Sequence, residues 1–300
     1  MTSPTTSPEN KGKRVTTPQE MVSGVIRLVS LPEVCIRVNE MLEDPNVTAA
    51  DLGKVIAQDT GLTARLLKIV NSSFYGFPSR IETVTRAVTV IGLRELRGLV
   101  LAASAVEAFS RIPNDVLNMV NFWRHSVYCG VVAQQLAERS RVLHSERLFV
   151  AGLLHDIGKL IMSHKIPDTM QKIITIARTD PRSDEEIENE ILGFSHADVG
   201  GELMRFWQMP ESLYNTVRYH HHPERAEAAE LEVSLIHIAN AMTLLAESNP
   251  EAGEVDSGVH AHAWKITGLD ESVMESVFED AAGMFTDALE AIIPRSYQPH

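Results

Sequence analysis

The sequence predicts an all-α protein, a two-lobed helical bundle whose C-terminal lobe carries a histidine-rich site. Three observations predict it. Apolar residues recur at three- and four-residue spacing through most segments, the period of an amphipathic helix rather than the alternation of a strand. Ser, Thr, Pro and Gly stand at the ends of those segments, where helix caps and breaks belong. Finally, strand-like and helix-like stretches do not alternate, and no solenoid-like repeat appears.

Residues 1–17, MTSPTTSPENKGKRVTT, hold almost nothing to bury and read as a disordered tail. From Pro18, PQEMVSGVIRLVS sets Met21, Val22, Val25, Ile26 and Val29 on one helical face, and PEVCIRVNEML does the same with Val34, Val38, Met41 and Leu42. Thr48 is the expected N-cap of AADLGKVIAQD, and Thr60 that of GLTARLLKIVNSSF. ETVTRAVTVIG is rich in β-branched residues, a strand-like composition. Yet Val84, Ala87, Val88 and Ile91 keep the helical period, and Gly92 suits a helix C-terminus, so helix is expected.

RIPND at 111–115 punctuates the chain and separates a lobe at 18–112 from a second at 113–248, followed by a helical extension at 249–300. The second lobe should open with a helix near 115–139 and continue with a single helix through ERLFVAGLLHDIGKLIMSH. Further helices are expected at PDTMQKIITIART, SDEEIENEIL, SHADVGGELMRFW, PESLYNTVRYH and EVSLIHIANAMTLLAES, and a last one at about 270–291. In NSSFYGFP, Asn71 and Ser72 should cap a helix end while Tyr75 and Phe77 pack inward. PRSDEEIENE reads as a solvated acidic face.

Hydrophobic residues make up 44% of the 300 residues and charged residues 22%, ordinary values for a globular protein of one large or two small domains. No apolar run approaches the roughly 18 residues needed to cross a bilayer, and no signal peptide opens the chain, so the expected location is the cytoplasm. Cys35 and Cys129 lie far apart in apolar patterns and should be reduced core residues. A formal charge of −13 argues against nucleic acid as a partner, because phosphate contacts need clustered Lys and Arg.

Of 12 histidines, nine lie between His125 and His237. Five features of the second lobe can converge: His125 in FWRHSV, His155–Asp156 in AGLLHDIGKLIM, His196 in GFSHADVGG, His220–His221 in RYHHHPE, and Asn240 in HIANAMT. Imidazole with carboxylate suits a divalent first-row metal such as Fe, Mn or Zn. On a helix, His155 and Asp156 would project about 100° apart and both reach a site at its flank. Lys159, one turn on, can offer its ammonium to a phosphate oxygen, and a metal beside a lysine suits phosphoester hydrolysis. Any one of these histidines alone is more often a hydrogen-bonded structural residue, and Lys159 alone can simply snorkel from a helix face. His144, His164, His260, His262 and His300 read as surface histidines, while His222 and His237 have no assigned role. Gly152 and Gly158 would leave room for close neighbours.

The order H…HD…H…HH resembles the HD superfamily of metal-dependent phosphohydrolases, and is closest to its HD-GYP cyclic di-GMP phosphodiesterases. The first lobe resembles the HDOD domain, the HD-related output domain of bacterial signalling proteins. The residues that carry this likeness are the LP at 31–32, DTGLTARLL at 59–67, NSSFYG at 71–76 and IGLRELR at 91–97, and it covers roughly residues 20–245. It implies a bacterial cytosolic regulator that acts through a signalling protein or a small phosphorylated ligand, in a family many of whose members have lost the metal ligands. It also implies one or two divalent ions, Fe or Mn ahead of Zn. Asp156 would bridge them, with His196, His220 and His221 on one and His125, His155 and the last acid on the other. Asp156 and Lys159 become the candidate catalytic residues. Three departures qualify the likeness: Asn240 replaces the superfamily's last aspartate, Asn121 replaces a glutamate that some relatives use for a third metal, and no G-Y-P follows HHHPERA. The resemblance therefore implies a regulatory module with a retained metal site, and active phosphohydrolysis as the alternative.

Overall fold

Side-chain caps mark the start of several helices. The structure, a computed structural model, describes residues 17–25, 31–72, 75–248, 258–294 and 297. The expected tail, apart from Thr17, lies outside the described residues, as do Ile26 and Val29. Thr17 is no part of a tail: with Glu20 it forms a capping box on α1 (Pro18–Ser23). Next come α2 (Glu33–Met41) and α3 (Ala49–Ile56), the latter capped by Thr48 and Asp51 as expected. α4 (Thr60–Val70) is capped by Asp59, whose carboxylate accepts from the Leu62 amide at 2.9 Å, while Thr60 is the first helical residue. A carboxylate one position earlier makes the same bond and also suits the positive helix end. The β-branched segment is helical, α5 (Val84–Ile91), and α6 (Leu93–Ser110) follows at once. The hinge between them is Gly92 at φ +94°, a backbone conformation costly for any residue with a Cβ.

The second lobe is built on α7 (Met119–Arg139), which packs against α8 (Glu146–Leu154). The helix expected to continue from α8 is broken. His155 and Asp156 form a turn, and α9 (Ile157–Lys165) starts anew. Then follow α10 (Pro167–Ala177), α11 (Asp184–Leu192), α12 (His196–Phe206), α13 (Glu211–Tyr219) and α14 (Glu230–Glu247), with α15 (Ala261–Thr267) and α16 (Met274–Ile292) in the extension. The described residues contain no strand, and no helix among them is long and apolar enough to cross a membrane.

The lobes share one continuous apolar core. α6 lies on α8, and α16 packs on both α7 and α4, so the C-terminal extension braces the two lobes. α1, although N-terminal, docks on α9 and α12. Cys35 and Cys129 are buried free thiols. Asn71 caps α4 as expected: its side-chain amide donates to the Leu67 and Ile81 carbonyls at 2.7 and 2.8 Å and accepts from the Ile81 amide at 2.7 Å. Tyr75 stacks on Phe77, ring centres 5.7 Å apart, against the core.

Two glycines set the spacing around the HD turn. A Cβ on Gly152 would lie 2.7 Å from the Gly130 Cα, which marks the close approach of α8 to α7. A Cβ on Gly158 would lie 2.0 Å from the His196 carbonyl oxygen and 2.8 Å from the Gly200 amide, so α9 and α12 touch backbone to backbone. Gly158→Ala must push α12 away. The expected result is a loss of about 1–3 kcal/mol, seen as a fall of several degrees in Tm; a Tm equal to that of the wild type would contradict the close contact.

Candidate metal centre

Four helices and one turn deliver the side chains. His125 comes from α7, His155 and Asp156 from the α8–α9 turn, His196 from the first residue of α12, His220 and His221 from the end of α13, and Asn240 from the middle of α14. The break at 155–156 is what aims the pair. Asp156 occupies the N-cap position of α9 but makes no capping bond, so its carboxylate is turned to the site. His155, His196 and His220 are fully buried, and Asp156 is 4% exposed.

The carboxylate of Asp156 is the hub. Its Oδ1 lies 3.0 Å from His196 Nε2, 3.6 Å from His155 Nε2 and 3.8 Å from His220 Nε2. Its Oδ2 lies 3.8 Å from His125 Nε2 and 2.9 Å from the Lys159 ammonium. The remaining contacts join one imidazole nitrogen to another: His196 Nε2 to His221 Nε2 at 3.0 Å, and His125 Nε2 to His155 Nε2 at 3.4 Å. Asn240 Oδ1 is 3.2 Å from His125 Nε2. Two groups thus have ligand atoms within 4.8 Å of one another, Asp156 with His196, His220 and His221, and Asp156 with His125 and His155.

The far side of each ring fixes its tautomer. His155 Nδ1 donates to the Gly152 carbonyl at 2.7 Å, and His220 Nδ1 to the Val217 carbonyl at 2.8 Å. His196 Nδ1 donates to Glu188 at 2.6 Å, and His125 Nδ1 to Glu247 at 3.0 Å. Carbonyls and carboxylates only accept, so each Nδ1 carries a proton, and the neutral rings of His155 and His220 present an Nε2 lone pair to the same small space. His220 Nε2 has no hydrogen-bond partner there. Such a crowd of acceptors around one carboxylate is costly to bury without a cation. Histidines whose outer nitrogens are tied to carboxylate or carbonyl are also how proteins orient metal ligands. The donor set fits a divalent first-row ion.

Electrostatics agrees. Burial lowers His155 to about 4, against the pull of Asp156, and drives His220 and His221 well below the ordinary imidazole range. His196 goes the other way: burial, which lowers it, is outweighed by Glu188 and Asp156, and it is raised to about 9. A proton on His196 thereby supplies part of the missing positive charge. Burial would raise Asp156, but Lys159, His155 and His196 hold it well below the carboxylate range. The Lys159 ammonium is engaged by Asp156 and, at 3.2 Å, by Asp184, so in this arrangement it is held inside the protein.

Sequence reasoning missed the outer layer. The stretch read as a solvated acidic face is only partly so: Glu188 and Glu185 are buried. Glu188 holds both the amide and Nδ1 of His196, at 2.7 and 2.6 Å, while Glu185 meets His222 at 3.3 Å. Asp184, Glu185 and Glu188 share the i, i+1, i+4 face of α11, and that spacing was the available signal. His237, left without a role, donates to the His220 carbonyl at 2.8 Å and accepts from the His260 amide at 3.1 Å, tying the His220 turn to the C-terminal extension. Asn121 is exposed on α7. Outside the centre, Glu95, His144 and Glu146 form another His–carboxylate group, at the seam of the lobes.

Comparison with known proteins gives a coherent result. The model of the HDOD domain family matches residues 28–223. An HDOD domain protein from Geobacter sulfurreducens of known structure and unknown function superposes with a TM-score of 0.77 at 25% identity, over 94% of this chain and 99% of that one. An uncharacterized protein of Treponema pallidum is 27% identical over 213 residues, 70% of this chain and 41% of that one. Ribonuclease Y of Aquifex aeolicus is 31% identical over 114 residues, 38% of this chain and 14% of that one. The chain thus spans less than half the length of either of these two relatives.

The buried imidazoles make the metal-free protein acid-sensitive. Between about pH 6.5 and pH 4 the unfolded chain protonates His155 and His237, whose folded values are lowered to about 4 by burial, and the folded chain does not. The unfolded state then binds more protons, so stability falls as pH falls through that window. His196 is protonated in both states there and adds no slope; its contribution is lost only as pH rises towards 9. Thermal melts of metal-free protein should show Tm falling steadily from pH 6.5 to pH 4, and a flat or rising Tm would refute the buried neutral histidines.

Proposed function

The chain belongs to the HDOD-domain family, and on that premise we propose that it is a regulatory module built around a metal centre, acting by binding a signalling protein or a small phosphorylated ligand. The observation that carries the metal is the convergence of imidazole Nε2 atoms on the Asp156 carboxylate, with the outer nitrogens of four rings already fixed. We assign His196, His220 and His221 to one divalent ion and His125, His155 and Asn240 to a second, with Asp156 between them. Fe or Mn is favoured over Zn because the donors mix imidazole with carboxylate and amide oxygen.

Two features favour regulation over turnover. Lys159 is engaged by Asp156 and Asp184 rather than turned to a ligand, and the amide of Asn240 brings no charge to the second ion. A second reading, hydrolysis of a phosphoester, draws support from the retained His/Asp set and from the partial likeness to a ribonuclease. A bound divalent ion would supply Lewis-acid polarisation of a phosphoryl oxygen and an activated water. Asp156 and Lys159 are the residues we assign to that chemistry, Asp156 by holding the ion and Lys159 by releasing its ammonium towards the phosphoryl group.

Elemental analysis of protein reconstituted with Fe, Mn or Zn should find about one or two ions per chain, and Asp156→Ala should lose at least one. Protein that stays metal-free after reconstitution with each would overturn the assignment. Assays on a model phosphodiester and on cyclic nucleotides, run beside Asp156→Ala, separate the two readings. The regulatory reading expects no turnover, whereas turnover abolished in the variant would establish the hydrolase.

A further inference from the structure

The two halves of the centre differ in how they are charged. Asp156 is common to both. The His196 half has a second negative charge behind it, because Glu188, 1% exposed, accepts from His196 Nδ1 at 2.6 Å. The His125 half has no acid of its own among its ligands, since Asn240 is neutral. Seven residues beyond Asn240, two turns along α14 and so on nearly the same face, stands Glu247. It is the last residue of that helix, and its carboxylate accepts from His125 Nδ1 at 3.0 Å. Glu247 therefore stands to His125 as Glu188 stands to His196.

We propose that Glu247 is a positioning residue that replaces in part, from behind His125, the negative charge that Asn240 does not bring, so that the His125 half remains a weaker, exchangeable seat for the second metal ion. This rests on the metal centre proposed above. A carboxylate hydrogen-bonded to a ligand imidazole raises the basicity of its Nε2 and holds the ring in place. The strength of that effect depends on burial. The Glu247 side chain is 46% exposed, against 1% for Glu188, so water and salt screen it more. The same carboxylate at position 240 would touch the ion directly; at 247 it acts through a ring and half in solvent. The expected consequence is a graded pair, with a tight ion at His196, His220 and His221 and a labile one at His125 and His155. Occupancy of the second seat would then follow the metal supply, a property suited to a module that reports on its surroundings.

The test is calorimetric titration of the metal-free full chain with Mn²⁺, with bound metal counted by elemental analysis. Wild type is compared with Glu247→Gln, Asn240→Asp and the double variant. Wild type should bind two ions in separable steps. Glu247→Gln should weaken the second step about tenfold and leave the first unchanged. Asn240→Asp should tighten the second step, and in that background Glu247→Gln should cost much less, because the charge now sits on the ligand itself. That rescue separates a charge effect from a merely structural one. Glu247→Gln that leaves the second step unchanged, weakens both steps equally, or is not relieved by Asn240→Asp would overturn the proposal while the metal centre stands. One Mn²⁺ per wild-type chain would do the same, and no uptake by any variant would remove the centre and this inference together.

Discussion

A carboxylate held away from water has to be neutralised where it lies, and Asp156 imposes that demand on most of the second lobe. It is 4% exposed, and the cost of desolvating such a group is several kcal/mol unless charges and hydrogen bonds are supplied around it. Lys159 at 2.9 Å and His196 at 3.0 Å supply part of the compensation from within the chain. The remaining neighbours are imidazole nitrogens that cannot donate, because their protons are used on the other side of the ring. A divalent ion is the natural complement of such a site. The helices that carry His125, His155, His196 and His220 have to meet at this one point.

That meeting depends on backbone contacts as much as on ligands. Gly130 and Gly152 bring α7 against α8, and Gly158 and Gly200 bring α9 against α12, at distances no larger residue allows. The helix break at His155–Asp156 lies between these two contacts, so the pair is held from both sides. Main-chain carbonyls of Gly152 and Val217 then set two ring orientations without using any further side chain. The centre is pre-organised, and any ion it takes would meet oriented donors.

The surroundings divide by charge. α11 turns Asp184, Glu185 and Glu188 towards the His196 side, and each holds a basic or imidazole group: Lys159, His222 and His196. The His125 side faces the end of α14 and is more open, with Glu247 as its carboxylate. The C-terminal extension reaches both the lobe seam, through α16, and the His220 turn, through His260 and His237.

Periodicity and capping residues were enough to establish an all-α chain, to find the helix in β-branched ETVTRAVTVIG and to place the Thr48 cap, because these depend on neighbours within one or two turns. The histidine order was enough to name the candidate ligands, because side-chain chemistry does not depend on the fold. Sequence could not show that ERLFVAGLLHDIGKLIMSH breaks at Asp156, since the run is apolar on both sides and the break answers to contacts with α7 and α12. It also misread Glu188 as solvent-facing and left Glu247 and His237 without roles. Burial and partner choice are properties of residues distant in the chain: Glu188 acquires its meaning from His196, and Glu247 from a histidine 122 positions away. Local pattern carries the helices and the donors, whereas only long-range packing decides which acid stands behind which ring.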